Sequence, residues 1–419
     1  MKSQIPARRF LSEDNFQWLI VICCQLVFIG LISSRALASI GMMALLGSVI
    51  VFSDLRQTVQ NYLNRKELWI LSLFFWIVCI SGLWSEDKSA WLTWTRIKLP
   101  FIALPLAFAA VPALGGKRFA ALLYGFVLIM VVSAVVVLKN YGLHYSEITD
   151  SLLRGNAIPI PFPHSHISHI RYTLMLAFAF FCCWYFLESK MYLFSENERW
   201  LQGFSLLFCF ATLHILSVRS SLLALYAGIL LMVFRFIFVQ KKFALGAALL
   251  LIIIAIPFAA IKVVPSLKNK FDYMRYDYRN FQNGEVQNLS DGIRLVSIKE
   301  AVDISKQNLW LGIGAGDLRS EMDKRYTTDY PQLAESDRKL PHSQLIWTLA
   351  TTGIIGLSLF MLAFGFPLFA NGNYKNWLLV MLHLVLFSSF FTEATLEEQI
   401  GTGFYLTLLL VLLNQFRNE

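Results

Sequence analysis

Phe119-Ala-Ala-Leu-Leu-Tyr-Gly-Phe-Val-Leu-Ile-Met-Val-Val-Ser-Ala-Val-Val-Val-Leu138 is an unbroken run of 20 residues without a single charge. At about 1.5 Å of rise per residue, a helix of that length covers about 30 Å, the thickness of a bilayer's hydrocarbon core. Runs of the same kind recur outward in both directions. Before it lie 16–33, 36–52, 67–83 and 97–114; after it come 170–187, 200–217, 220–239, 243–262, 343–369, 375–391 and 400–416. The pattern predicts an all-α polytopic membrane protein with about twelve transmembrane helices.

Composition agrees. Of 419 residues 57% are hydrophobic and 15% charged, and the mean hydropathy is +0.57, an apolar excess that one soluble core cannot enclose. The formal charge of +9 is then first a matter of topology rather than of nucleic acid. With a cytoplasmic N-terminus, Arg56, Arg65, Lys66, Lys117, Arg118, Lys190, Arg199, Arg235, Lys241, Lys242 and Lys375 fall on the inside, as the positive-inside rule requires. Lys88, Arg96 and Lys98 fall outside, against it. Lys2, Arg8 and Arg9 before an apolar stretch, followed by Ala36-Leu37-Ala38, have the outline of a signal peptide. The run 16–33 exceeds the ~7–15 residues of such a segment and another span follows at once, so it is expected to stay as a first span.

All six cysteines (Cys23, Cys24, Cys79, Cys182, Cys183, Cys209) sit in apolar runs, which implies neither a disulfide framework nor a zinc site. The chain divides into an N-terminal membrane region (1–262, about nine spans), a hydrophilic segment (263–341) and a C-terminal membrane region (342–419, about three spans). That segment and a shorter one, 139–169, face the outside on this topology. Asp291 is a candidate N-cap for a helix carrying Ile293, Leu295, Ile298 and Val302, so the larger segment reads as folded.

Chemistry is expected where those segments meet the membrane. Pro341-His342-Ser343-Gln344 closes the long segment and opens an apolar helix containing Gly353-Ile354-Ile355-Gly356. A histidine at that boundary suits a general base acting on a hydroxyl. Arg219, between two apolar spans, and Arg294 are candidate anion ligands, because a guanidinium fork matches phosphate oxygens. His169 and Arg171 are candidates for contact with glycan or phosphate. Glu393, between the last two spans, is a candidate to orient His342 or to bind a sugar hydroxyl; Glu397 and Glu398 read as solvated charge. His164, His166 and His169 lack a carboxylate or cysteine at ligand spacing, so no metal is assigned to them. His214 and His383 read as packing residues, and Trp84, Trp91 and Trp94 as part of an interfacial aromatic belt.

His342-Ser343 followed at nine residues by Gly353-x-x-Gly356 resembles the signature of the bacterial O-antigen ligase family. Leu216-Ser217-Val218-Arg219-Ser220-Ser221, Gly292-Ile293-Arg294 and Gly312-Ile313-Gly314-Ala315-Gly316 resemble further family motifs, in the right order, over roughly residues 200–400. The resemblance implies a GT-C-type glycosyltransferase of the bacterial inner membrane. Such an enzyme moves a glycan from undecaprenyl pyrophosphate to a hydroxyl of lipid A core at the periplasmic face. It implies no nucleotide sugar and no cofactor, and pyrophosphate as leaving group makes a divalent metal unnecessary. The loop Ser85-Glu86-Asp87-Lys88 lacks an Asp-x-Asp pair, in keeping with that. A polymerase using the same lipid-linked donor shares the chemistry; a transporter would show as many spans, but with ionisable or broken positions paired across two halves.

Overall fold

The computed structural model describes residues 11–282 and 290–417, so Lys2, Arg8, Arg9 and part of the segment 263–341 lie outside the described residues. Every regular element described is a helix, with no β-strand among them. In chain order these are α1 (Glu13–Ser33), α2 (Arg35–Phe52), α3 (Leu55–Asn64), α4 (Lys66–Trp69), α5 (Leu73–Ser81), α6 (Lys88–Lys98), α7 (Pro100–Phe108), α8 (Gly116–Leu143), α9 (Tyr145–Leu153) and α10 (His169–Ser189). There follow α11 (Glu198–Leu216), α12 (Arg219–Phe234), α13 (Phe243–Val263), α14 (Pro265–Gln282), α15 (Ser290–Gln307), α16 (Leu318–Asp329), α17 (Gln344–Phe369), α18 (Trp377–Ser389) and α19 (Gln399–Gln415).

Eight helices among the described residues are long and apolar enough to cross a membrane: α1, α2, α8, α10, α11, α12 continued to Val239, α13, and α17 continued to Lys375. The other four expected spans are short or divided. Residues 67–83 form α4, a single 3₁₀ turn (Ile70–Ser72) and α5. Residues 97–114 do not form one helix, because Pro100 opens α7 and Pro105 lies within it, each without the N–H that continues a helical ladder. The last two, α18 and α19, are 13 and 17 residues long. Both are apolar all round, which marks a helix enclosed by protein. Accordingly Leu406, Leu408, Leu409, Leu410 and Leu412 of α19 are fully buried, and α19 packs against α1, α2, α7, α10 and α18.

The expected span 343–369 is broken at Gly353, whose φ of 65° and ψ of −170° interrupt α17. The break is filled by another part of the chain. Ile313 N and Gly314 N donate to the carbonyls of Ala350 and Thr351, while Ile354 N donates to Leu309 O at 2.8 Å. The Gly312–Gly316 motif is therefore the segment that plugs the interruption. A Cβ at Gly353 would overlap the Trp310 carbonyl, so only glycine admits this approach. On its far side the motif holds the loop after α5: Ala315 N donates to Ser81 Oγ and Gly316 N to Ser85 Oγ, both at 3.2 Å, and Asp317 accepts from Glu86 N and Asp87 N.

Several sequence expectations are corrected by this packing. Lys98 is buried, with Nζ 2.7 Å from Glu397 Oε1, and Gln344 Nε2 donates to the same oxygen at 2.6 Å. Glu397 is thus a buried partner and not solvated charge, since an ion pair inside the bundle must satisfy itself. Trp91 donates its indole N–H to Val78 O and Trp94 packs edge-on to Trp347. Asp291 lies inside the first turn of α15, which begins at Ser290, and Leu295 is exposed while Val296 and Ile304 form the buried face. His214, bonded to Phe210 O and Tyr226 Oη, and His383, bonded to Leu379 O, are packing residues.

Candidate functional site

Among the elements that line a cavity of about 540 Å³, five carry its charged and imidazole side chains. Three of them present their first turn: His169 and Ile170 of α10, Arg219 and Ser220 of α12, Ser290 and Asp291 of α15. Each helix start carries roughly half a positive charge from its aligned peptide dipoles and unpaired N–H groups. The fourth element, α14, contributes Lys270, Tyr273, Met274, Asp277 and Tyr278, one stripe at i, i+3, i+4, i+7 and i+8. The fifth is the lead into α17, which contributes His342. Arg219, Lys270 and Arg294 against Asp277 and Asp291 leave one net positive charge on the wall, before the helix starts are added.

The charges are held in specific pairs. Arg219 donates to Asp291 Oδ1, and Arg294 Nη1 stands 4.0 Å from the same oxygen. Burial opposes ionisation of Asp291, but the Arg219 hydrogen bond and charge outweigh it and hold its pKa below the usual carboxylate range. Asp277 accepts from Asp291 N at 2.8 Å and Gly292 N at 3.1 Å, capping α15; burial nonetheless raises its pKa. Lys270 Nζ donates to Gly155 O at 2.8 Å and Asn156 O at 2.9 Å. Burial, with Arg219 adding repulsion, brings its pKa down to about 8. Arg219 keeps 46% of its side chain exposed, so it meets solvent and ligand at modest desolvation cost.

Behind the cavity runs a chain of charge. His342 Nδ1 lies 3.4 Å from Glu393 Oε2, whose other oxygen is 2.8 Å from Arg171 Nη2. Arg171 Nη1 reaches Glu398 at 3.0 Å, and Glu398 meets Arg35, which in turn donates to Ser165 O and His166 O. Burial opposes the charge on Glu393, yet the contact with His342 and the Arg171 guanidinium hold its pKa down to about 2.

Of the residues singled out in the sequence, the cavity wall brings together His169, Arg219, Arg294 and His342. Arg171 does not reach it: its guanidinium is buried on Glu393 and Glu398, because two carboxylates there need a counter-charge more than the cavity does. Glu393 stands behind His342 and also off the wall. Sequence reasoning missed Lys270, Tyr273 and Asp277; the signal was the helical stripe they form, hidden in a segment read only as a folded loop. His164 and His166 do not join the cavity, and no group of three or more His, Cys, Asp or Glu positioned for a metal occurs among the described residues.

Comparison with known proteins adds one positive finding. No curated protein matches the chain. Residues 204–361 match the family model described as O-antigen ligase, a stretch that contains Arg219, Lys270, Asp291, Arg294 and His342 together with the glycine motif and the kink of α17 at Gly353. Over residues 204–361 the chain is similar to the O-antigen ligase family.

Proposed function

We propose that this protein is a GT-C-type glycosyltransferase of the bacterial inner membrane that transfers O-antigen glycan from undecaprenyl pyrophosphate to a hydroxyl of lipid A core on the periplasmic side. The observation that carries the reading is one cavity lined by Arg219, Arg294 and His342, where cations and helix starts suit an anion and the imidazole suits a hydroxyl proton. Arg219 and Arg294 bind the pyrophosphate, and each charge-assisted hydrogen bond contributes about 1.5–3 kcal/mol. The acceptor oxygen attacks the anomeric carbon while the bond to the pyrophosphate oxygen breaks and its electron pair leaves with the phosphate. The hydroxyl proton passes to His342, with Glu393 fixing the ring and offsetting the imidazolium charge. The arginines supply the charge stabilisation that a divalent ion would otherwise give. On this reading the chain crosses about twelve times, counting the shorter and divided helices, and both termini are cytoplasmic, in keeping with the positive-inside pattern of the sequence.

Reconstitution in liposomes with a lipid-pyrophosphate glycan and separate acceptors tests this. Glycan on lipid A core, abolished by His342→Ala and reduced at least a hundredfold by Arg219→Ala or Arg294→Ala, is the expected result. A lengthened lipid-linked glycan would assign the chain to polymerisation, and full activity of either arginine variant would remove that residue from the site.

A further inference from the structure

A second, more open groove of about 550 Å³ adjoins the cavity. The two share Asn156, Ala157 and His169, so these residues form a common wall. The wall is built firmly from the cavity side. Lys270 holds the carbonyls of Gly155 and Asn156, and Gly155, at a φ of 87°, lies so close to the Tyr273 ring that a Cβ would overlap it. From the groove side, Asn156 Nδ2 donates to Ser151 Oγ at 2.8 Å, tying the wall to α9.

Charge separates the two spaces. Arg219, Lys270 and Arg294 line the cavity, whereas no lysine or arginine is among the residues lining the groove. The groove offers the Glu147 carboxylate, the hydroxyls of Ser151 and Ser168, the His169 ring and a floor from Ile158 to Ile160. A phosphate finds no cation there and meets an anion at Glu147. A neutral saccharide is suited on both counts: its hydroxyls meet carboxylate and hydroxyl groups, and its C–H faces meet isoleucine and proline. Glu147 and Ser151 are four residues apart on one face of α9, which makes the polar side a single helical strip.

We infer that this groove is the acceptor subsite, binding an uncharged sugar of the acceptor so that its hydroxyl passes His169 to reach His342. The inference rests on the transfer reading above and deepens it. Two substrates must meet at one reacting carbon, and the charge difference sorts them: lipid pyrophosphate into the cavity, neutral sugar into the groove.

Two variants and two assays test it. Ser151→Phe fills the groove, and Ser151→Thr retains the hydroxyl at little added volume. Equilibrium binding of the lipid-pyrophosphate glycan is measured without acceptor, and the KM for lipid A core is measured at saturating donor. Ser151→Phe is expected to raise the acceptor KM at least tenfold with donor affinity within twofold of wild type, which also shows that the variant folds; Ser151→Thr stays near wild type. An unchanged acceptor KM, or donor affinity falling in step with it, overturns the assignment. Binding of dephosphorylated core oligosaccharide to the wild type and to Ser151→Phe separates the two levels. Ser151-dependent binding without any transfer sinks the transfer reading and leaves the groove standing, while no binding to the wild type sinks the groove.

Discussion

Glu393 stands between His342 and Arg171, one carboxylate oxygen 3.4 Å from the imidazole Nδ1 and the other 2.8 Å from the guanidinium. His342 keeps a quarter of its side chain exposed at the cavity, while Glu393 is largely and Arg171 almost wholly buried. The cavity residue is therefore held from behind by a pair that never touches the cavity, and this separation makes position and chemistry testable apart.

Replacing Arg171 with Leu leaves Glu393 and Glu398 without their shared counter-charge. Removing one partner of a buried ion pair typically destabilises by about 3–5 kcal/mol. The expected result is a clear drop in the unfolding temperature in detergent, partly restored by Glu393→Gln in the same chain. No restoration would show that the pair is not coupled.

The same pair predicts an acid limit. Glu393 has its pKa lowered to about 2 by its partners, so its stabilising effect is fully present above the ordinary carboxylate pKa of about 4.3 and is lost as pH falls toward 2. Unfolding temperatures measured from pH 6 downward should fall below about pH 4.5 in the wild type, with a shallower slope in Glu393→Gln. Equal slopes would show that other carboxylates govern the acid transition.

Lys270 should make anion binding sensitive to alkali. Its pKa of about 8 means the cation is lost as pH rises from 7 to 9. Affinity for a lipid pyrophosphate should weaken several-fold over that range in the wild type and be nearly flat in Lys270→Met. In the absence of ligand the sign reverses. The unfolded chain holds the lysine proton up to about pH 10.4, so this residue contributes a rise in stability between pH 8 and 10.

Gly353→Ala should destabilise by about 3 kcal/mol, since it combines a strained positive φ with overlap against the Trp310 carbonyl. Gly365→Ala, in the same helix with nothing near its Cβ position, should be neutral or slightly stabilising. Thermal unfolding of the two variants side by side checks the claim; similar values would mean that the plug at the break is dispensable.

How much was legible in the sequence follows from the range over which each feature is determined. Run length and the absence of charge are local, so residues such as 119–138 declare a spanning helix on their own. Pro100 and Pro105 were equally visible, yet a hydropathy reading gives them little weight and passed over the division of 97–114. The pairing of Lys98 with Glu397 could not be read locally, because each partner lies 299 residues from the other and only packing shows them buried together.

The candidate site divides the same way. His342, Arg219 and Arg294 were readable because short motifs mark them, and those motifs were spaced as in a known family. Lys270 had no motif, and the pairing of Arg171 with Glu393 and Glu398 was not readable from spacing. What the sequence by itself determined is the medium the chain lives in and the residue types that carry charge at its boundary, since hydrophobicity and ionisation belong to residues singly. Only the tertiary structure decided which of those charges face a ligand and which neutralise one another. That choice depends on distances and burial between residues far apart in the chain, where a few ångströms separate a binding cation from a structural one.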